Sequence, residues 1–392
     1  VTVCNTGATA GTCDSNPLAN AVAVAAGGFH ALALLSDGTV KGWGWNNDGE
    51  LGDGTATTRL TPVGAGSGIT GAVAVAAGGS HSLVLLTDGT IRAFGTNVYG
   101  ELGNGATATY QRTPVTVSGI TNAVAVAAGG TYGEPGYRFS LALLADGTIK
   151  AWGDNTYGQL GNGTTTASTI PVTVSGITDA VAIAAGPRHA VALLADGTVK
   201  AWGGNTYGQI GDGTTTSPRL TPVTVCNTGA TAGTCDSNPL TNAVALAAGG
   251  TAWSDSSFAL LSDGSIKAWG SNGNGKLGDG TTTTRTTPVT VCNTGASAGT
   301  CDSNPLTGVA AIAAGNDHTL AITGGIRFQI AANTDNATWN YRPLVKRNGA
   351  PFNRLAVPAS LDNNRYLRYK AYLATSDTAY TPSLDDITIN YL

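Results

Sequence analysis

The sequence predicts an all-β protein built from tandem repeats, and three observations predict it. The phrase AVAVAAGG stands at residues 21–28, 72–79 in a shifted form and 123–130, with variants at 180–186, 243–250 and 310–315. Each phrase is followed by an alternating apolar run, an Asp-Gly pair and a second alternating run, the signature of a hairpin. Then comes W-G-x-N-x-x-G-x-L-G-x-G, as in WGDNTYGQLGNG at 152–163, where glycines permit the positive φ of tight turns.

The elements follow in that order within every repeat. AVAVAAG alternates and ends on glycine, so it reads as a first strand. HALALLSDGTVKGWG reads as a second strand, a turn at Asp37-Gly38 and a third strand; the turn recurs at Asp88-Gly89, Asp146-Gly147, Asp196-Gly197 and Asp263-Gly264. A Thr-rich loop and a P-V-T-V strand end the unit. The first repeat glycines are Gly27, Gly78, Gly129, Gly186, Gly249 and Gly315, and their spacing grows because loops are inserted after Gly130, Val225 and Val291. The last unit, Gly308 to Thr323, has room for two strands only.

With AAG-x-x-H-S-L-A-L, D-G-x-V-x-x-W-G and N-x-x-G-Q-L-G on the page, residues 1–323 resemble the repeats of the regulator-of-chromosome-condensation (RCC1) family. The resemblance implies a β-propeller of four-stranded blades. The repeat count points to six blades, with the seven usual in the family as the alternative. Members of the family activate a small GTPase in the nucleus and bind chromatin. That nucleotide-exchange activity is not expected here: residues 1–325 hold 12 Lys+Arg and 19 Asp+Glu, a net of −7, with no basic patch to meet phosphates.

Charged residues make up only 11% of the chain, so Thr, Ser, Asn and backbone must keep the surface wet. The sequence contains no methionine and reads as a processed chain or a fragment. No apolar run is long enough to span a membrane as a helix. Six cysteines form three C-x8-C units: Cys4/Cys13, Cys226/Cys235 and Cys292/Cys301. Zinc ligands are usually more tightly paired. Local disulfides are therefore expected, each stabilising by about 2.7 kcal/mol on the chain-entropy model. They imply an oxidising, extracellular compartment.

The four histidines, His30, His81, His189 and His318, are repeat equivalents on separate blades, so they are expected to bond turns of their own blades rather than converge on a metal. Phe139 and Phe258 are expected in the same slot. Trp43, Phe94, Trp152, Trp202 and Trp269 share a packing slot. The candidate contact aromatics are Trp45 and Trp253, which lie outside the pattern, and Tyr99, Tyr157 and Tyr207, which share an N-x-Y-G slot and so form an arc on one face. No catalytic motif, metal site or cofactor site is found, and no cofactor is expected.

From residue 324 the composition changes. Residues 326–392 hold 8 Lys+Arg and 5 Asp+Glu, a net of +3. Strands are expected at Ile326–Ala332, Thr338–Tyr341, Arg365–Ala374 and Asp386–Leu392, giving a small β-sandwich over 324–392. Its end is similar to terminal modules of secreted bacterial surface proteins. Ile387, Ile389 and Tyr391 alternate along a candidate assembly strand. Val1, Thr2 and Val3 match the strand that ends a repeat and are expected either to close the last blade of their own ring or to enter a neighbour's.

The reading of the whole is a non-enzymatic extracellular surface protein, adhesive or structural, with the subunit of an extracellular filament as its sharper form. Its expected partners are other copies of itself or cell-surface molecules, with a glycan as a further option, and no nucleic acid. The alternative is a secreted propeller that binds a protein or glycan on one ring face, in the manner of an inhibitor or lectin.

Overall fold

The computed structural model describes residues 3–5, 16–131, 137–229, 233–251, 253–293, 295, 299–323, 326–333, 342–343 and 366–373. The repeats form a β-propeller. Blade 1 is a four-stranded antiparallel sheet of Ala21–Ala26, His30–Leu35, Val40–Gly44 and Arg59–Gly64, paired in chain order. Blades 2 to 5 repeat it at 72–116, 123–173, 180–224 and 243–290. A sixth unit has two strands, Val309–Ala314 and Thr319–Thr323.

The expected hairpins are present. In blade 3 the second strand meets the third at Leu143 and Ile149. Gly147 takes φ 81° in the turn, and Asp146 Oδ1 accepts from the Thr148 backbone N–H at 2.9 Å and its hydroxyl at 2.7 Å. The loop to the fourth strand is organised by a buried asparagine. Asn155 Oδ1 accepts from the Leu160 N–H at 2.9 Å, and its Nδ2 donates to the carbonyls of Thr164 and Thr166, each at 3.0 Å. Asn46, Asn97, Asn205 and Asn272 repeat the bond to the N–H five residues on. Beside them, Arg59 and Arg285 pair with Asp53 and Asp279 at 2.6 Å, and Arg219 pairs with Asp212.

First strands of successive blades pack on one another around the axis. Close approach requires glycine there: a Cβ on Gly27 would lie 2.4 Å from its own His30 ring and 2.5 Å from the Gly78 carbonyl oxygen. Further out, each blade lays Leu/Ile/Val side chains against the tryptophan slot of the next. Leu141, Leu143 and Leu160 meet Trp202, for example, and all are fully or almost fully buried. Each such large apolar side chain contributes about 1.5–3 kcal/mol.

Three of the four histidines, His30, His81 and His189, depart from expectation, because they bond the next blade rather than their own, whereas His318 of the sixth unit is exposed. Ser82 Oγ donates to the Glu50 carbonyl at 2.7 Å, so His30 Nε2, 2.9 Å away, must be the donor to that hydroxyl. The same chain runs from His81 through Ser140 to the Glu101 carbonyl, and from His189 through Ser257 to that of Gln209. Register also corrects the assignment of Phe258. It pairs with Ala268 and sits in a leucine slot, whereas Ser256 holds the histidine position opposite Gly270. Phe139 does occupy that position, opposite Gly153, and its partner on the next blade is Ala190, which has no hydroxyl. Ring and hydroxyl are lost together, which leaves no stranded hydroxyl at that seam.

The disulfides Cys226–Cys235 and Cys292–Cys301 close two of the three loops, with Cα–Cα separations of 4.2 and 4.4 Å. Their necks are fixed by Leu240 and Leu306 N–H groups donating to Val225 and Val291 carbonyls at 2.9 Å. Leu18 donates to Val3 in the same way at 2.8 Å. Val1, Thr2 and Cys13 lie outside the described residues. In the C-terminal segment Ile326–Asn333 pairs antiparallel with Tyr366–Leu373 and with Arg342–Pro343. The expected strands at 338–341 and 386–392, with Ile387, Ile389 and Tyr391, lie outside the described residues.

The seam chemistry predicts a compensating pair. Ser140→Ala alone should cost about 1–3 kcal/mol by stranding buried groups. Adding His81→Phe should recover most of that loss, as the natural Phe139/Ala190 pair suggests, in a urea-denaturation double-mutant cycle. Burial, with Arg138 nearby, lowers the His81 pKa to about 3 from 6.5. The unfolded chain therefore binds a proton that the fold excludes. This histidine's contribution is complete above pH 6.5 and is lost as pH falls toward 3. The double variant should lose less stability than the wild type on acidification across that window.

Candidate interaction face and its buried charge centre

The turns that lead into the second strands place Arg138, Arg188 and Asp255 at one end of the ring, just before the seam residues Phe139, His189 and Ser256. Arg188 and Asp255 are buried. Arg188 Nε donates to Asp255 Oδ2 at 3.2 Å, and Gln209 Nε2 donates to the same oxygen at 2.9 Å. Three tyrosines surround the guanidinium: its carbon lies 5.3 Å from the Tyr157 ring centre, 5.6 Å from Tyr207 and 5.9 Å from Tyr137. The Tyr137 and Tyr157 rings meet at 5.6 Å. At such distances the ring faces attract the cation.

Burial governs the charge here. It raises the Asp255 pKa to about 6, although Arg188, Gln209 and Lys276 oppose the rise. Glu50 is raised to about 7, first by burial and also by Asp48. Glu101 and Asp154 are raised by burial as well. Of these acidic groups it is Asp255 that meets the Arg188 guanidinium beside the tyrosines, whereas Glu50 and Glu101 feel Arg138. Among the described residues no cluster of His, Cys, Asp and Glu could hold a metal ion.

Of the predicted contact residues, Tyr157 and Tyr207 meet at this centre. Their backbone N–H groups donate to Gln159 and Gln209 side chains at 2.8 and 2.9 Å, which sets the loop pose. Tyr99 makes the equivalent bond to Glu101 at 2.8 Å, one blade earlier, so the three do share a slot. Trp45 is half-buried on blade 1, and Trp253 stands exposed in the turn before blade 5. Tyr137, Arg188 and Asp255 were missed. Tyr137 lies on an inserted loop, and the residue before each histidine position is Phe29, Ser80, Arg138, Arg188, Asp255 or Asp317, so no one letter marks that position.

The two ends of the blade series present a second kind of surface. Leu320 and Ile322 of the sixth unit are 61% and 63% exposed, while their register equivalents Phe258 and Leu260 are buried. Val24 on blade 1 is 74% exposed and Trp43 is half-buried, where Trp152, Trp202 and Trp269 are fully buried.

Successive four-stranded blades, seamed by tryptophan, define a repeat β-propeller. The chain belongs to the regulator of chromosome condensation (RCC1) repeat family: that family's model matches residues 37–85, 88–133, 146–193 and 263–322, together more than half of the chain. A second RCC1 repeat model matches 21–50, 72–101, 124–159 and 180–209. The chain is similar to the ultraviolet-B receptor UVR8 of Arabidopsis thaliana, 34% identical over 152 residues, covering 38% of this chain and 33% of that one. It is 35% identical over 161 residues to the human E3 ubiquitin-protein ligase HERC2, covering 40% of this chain and 3% of that one. It therefore spans a third or less of these relatives. Human WBSCR16 superposes with a TM-score of 0.60 at 25% identity, over 77% of this chain and 71% of that one. Prp20p of Saccharomyces cerevisiae, whose binding to Gsp1p and histones has been described, superposes at 0.61 with 22% identity, over 91% and 83%, which shows the fold alone. These relatives are eukaryotic.

The buried pair yields a test. Asp255→Ala leaves the Arg188 cation unpaired, and it should cost about 3–5 kcal/mol in urea denaturation. Tyr157→Phe keeps the ring over Arg188 and should leave stability within about 0.5 kcal/mol of the wild type.

Proposed function

We propose that this chain is a non-enzymatic scaffold of an oxidising, extracellular setting, adhesive or structural at a cell surface, whose copies join end to end into a filament. The observation that carries this reading is the exposure of Leu320 and Ile322 at one end of the blade series and Val24 and Trp43 at the other. At every seam between blades of this chain, side chains in the first position pack against those in the second. A contact between unlike faces of two copies is heterologous, and one that does not close builds a filament. The disulfides at 226–235 and 292–301 support the extracellular address, since such bonds persist outside the reducing cytosol. The opposite charges of residues 1–325 and 326–392 favour head-to-tail approach at short range.

Electron microscopy and light scattering of the purified protein test the reading. Filaments or concentration-dependent oligomers are expected. Leu320→Lys/Ile322→Lys and, separately, Val24→Lys should each reduce them to monomers without unfolding the blades. A wild-type protein that stays monomeric across salt and pH would sink the proposal.

The tyrosine-ringed face carries the second reading, binding of a protein or glycan. Its support is the cluster of half-exposed Tyr137, Tyr157 and Tyr207 on a rigid buried base. On that reading Tyr157→Ala/Tyr207→Ala abolishes capture of cell-surface material while the end variants do not.

A further inference from the structure

We propose that the sixth unit is a strand-capture site: the edge strand Thr319–Thr323 and the groove beside it bind an extended peptide strand from another chain, reading a tryptophan followed by glycine. This does not rest on end-to-end association, which uses the opposite face of the same unit.

The argument is internal to the chain. In blades 3, 4 and 5 the third strand reads IKAWG, VKAWG and IKAWG. It pairs with the second strand so that its tryptophan lies opposite Ser140, Ala190 or Ser257. The indole crosses to the previous blade and donates to a carbonyl there: Trp152 to Glu101 at 2.8 Å, Trp202 to Gln159 at 2.9 Å and Trp269 to Gln209 at 2.9 Å. The ring presses on a glycine. A Cβ on Gly103, Gly161 or Gly211 would come within 2.7–2.8 Å of an indole atom.

The sixth unit has the receiving half of this arrangement without the inserted half. Its sheet has two strands, and among the described residues no third strand pairs with Thr319–Thr323. Thr319 occupies the serine position, and its hydroxyl donates to the Lys276 carbonyl at 3.1 Å, which marks that carbonyl as the equivalent acceptor. Among the described residues no indole joins it there. Gly278 takes the place of Gly103, Gly161 and Gly211, and a Cβ on it would meet only Val291, at 3.1 Å. Where the indole lies in the other blades, a groove of 330 Å³ opens between Phe258, Ile266, Leu277, Val291, Thr319 and Ala321.

Shape, acceptor and open strand edge therefore coincide at one place, and the occupant is specified by three copies of it in the same molecule. Among the described residues the matching strands are all engaged in their own four-stranded blades, and Ile326–Asn333 is engaged with Tyr366–Leu373. The proposed occupant is therefore a strand of another chain, added to the sheet edge. Its backbone pairs with Thr319–Thr323, its tryptophan faces Thr319 and donates to the Lys276 carbonyl, and its glycine passes His318.

Fluorescence anisotropy with a labelled synthetic peptide GTIKAWGS and the full chain tests this. Saturable binding is expected, weakened about tenfold or more when the peptide tryptophan is replaced by alanine. Ala321→Glu, which puts a charge into the groove, should weaken it likewise while thermal melting stays unchanged. Hydrogen exchange at 319–323 should slow when peptide is added. Equal binding of both peptides, or none, overturns the proposal. So does a cross-link showing that another segment of the same chain fills the groove.

Discussion

The structure depends on one backbone acceptor per seam, the carbonyl of the residue before Leu-Gly or Ile-Gly. Glu101 and Gln209 each receive both the serine hydroxyl and the indole N–H of the next blade, whereas Glu50 receives the hydroxyl of Ser82 and Gln159 the indole of Trp202. Where two donors from two strands converge on one oxygen, the height and angle of the next blade are narrowly set. The histidine ring then holds the serine from the other side. Desolvated bonds of this kind are expensive to leave half-made, and where Phe139 replaces the histidine its partner is Ala190, which has no hydroxyl to strand.

That constraint links packing to function. A seam is a junction between two unlike faces, and a chain of such junctions ends in one face of each kind. The exposure of Val24 and of Leu320 and Ile322 follows from the same geometry that buries their equivalents elsewhere. The two-stranded sixth unit adds a groove beside the Lys276 carbonyl, which among the described residues receives the Thr319 hydroxyl but no indole. The surfaces proposed for association are thus equivalents of surfaces that the other seams bury. The tyrosine face differs in kind: its base is a buried Arg188–Asp255 pair that the repeat pattern does not contain.

Much of the blade was legible because its signals are local. The Asp146-Gly147 turn needs a carboxylate two residues from an N–H and a glycine at positive φ, and both letters sit in the sequence. Alternation placed the strands, and repeat spacing placed the tryptophans. The buried asparagines were visible as letters in N-x-x-G-x-L-G, but their work on a loop up to eleven residues away was not. The histidine slot is marked in the sequence by its own letter at 30, 81 and 189. Before blade 5 no histidine stands there, and the aromatic Phe258 resembles Phe139 although register puts Ser256 in the slot.

What the sequence determined by itself is the repeat, its strands and turns, the family, and cysteine spacing suited to local loops, because each rests on residues near one another in the chain. What only the tertiary structure decided is which groups meet across seams. His81 and Ser140 are 59 positions apart, and Arg188 and Asp255 are 67 apart. Their meeting depends on the angle between blades, which no local pattern encodes. The same holds for the groove beside Thr319: its shape is set by the packing of the sixth unit on blade 5, which brings Leu277, Val291 and the Lys276 carbonyl to its walls.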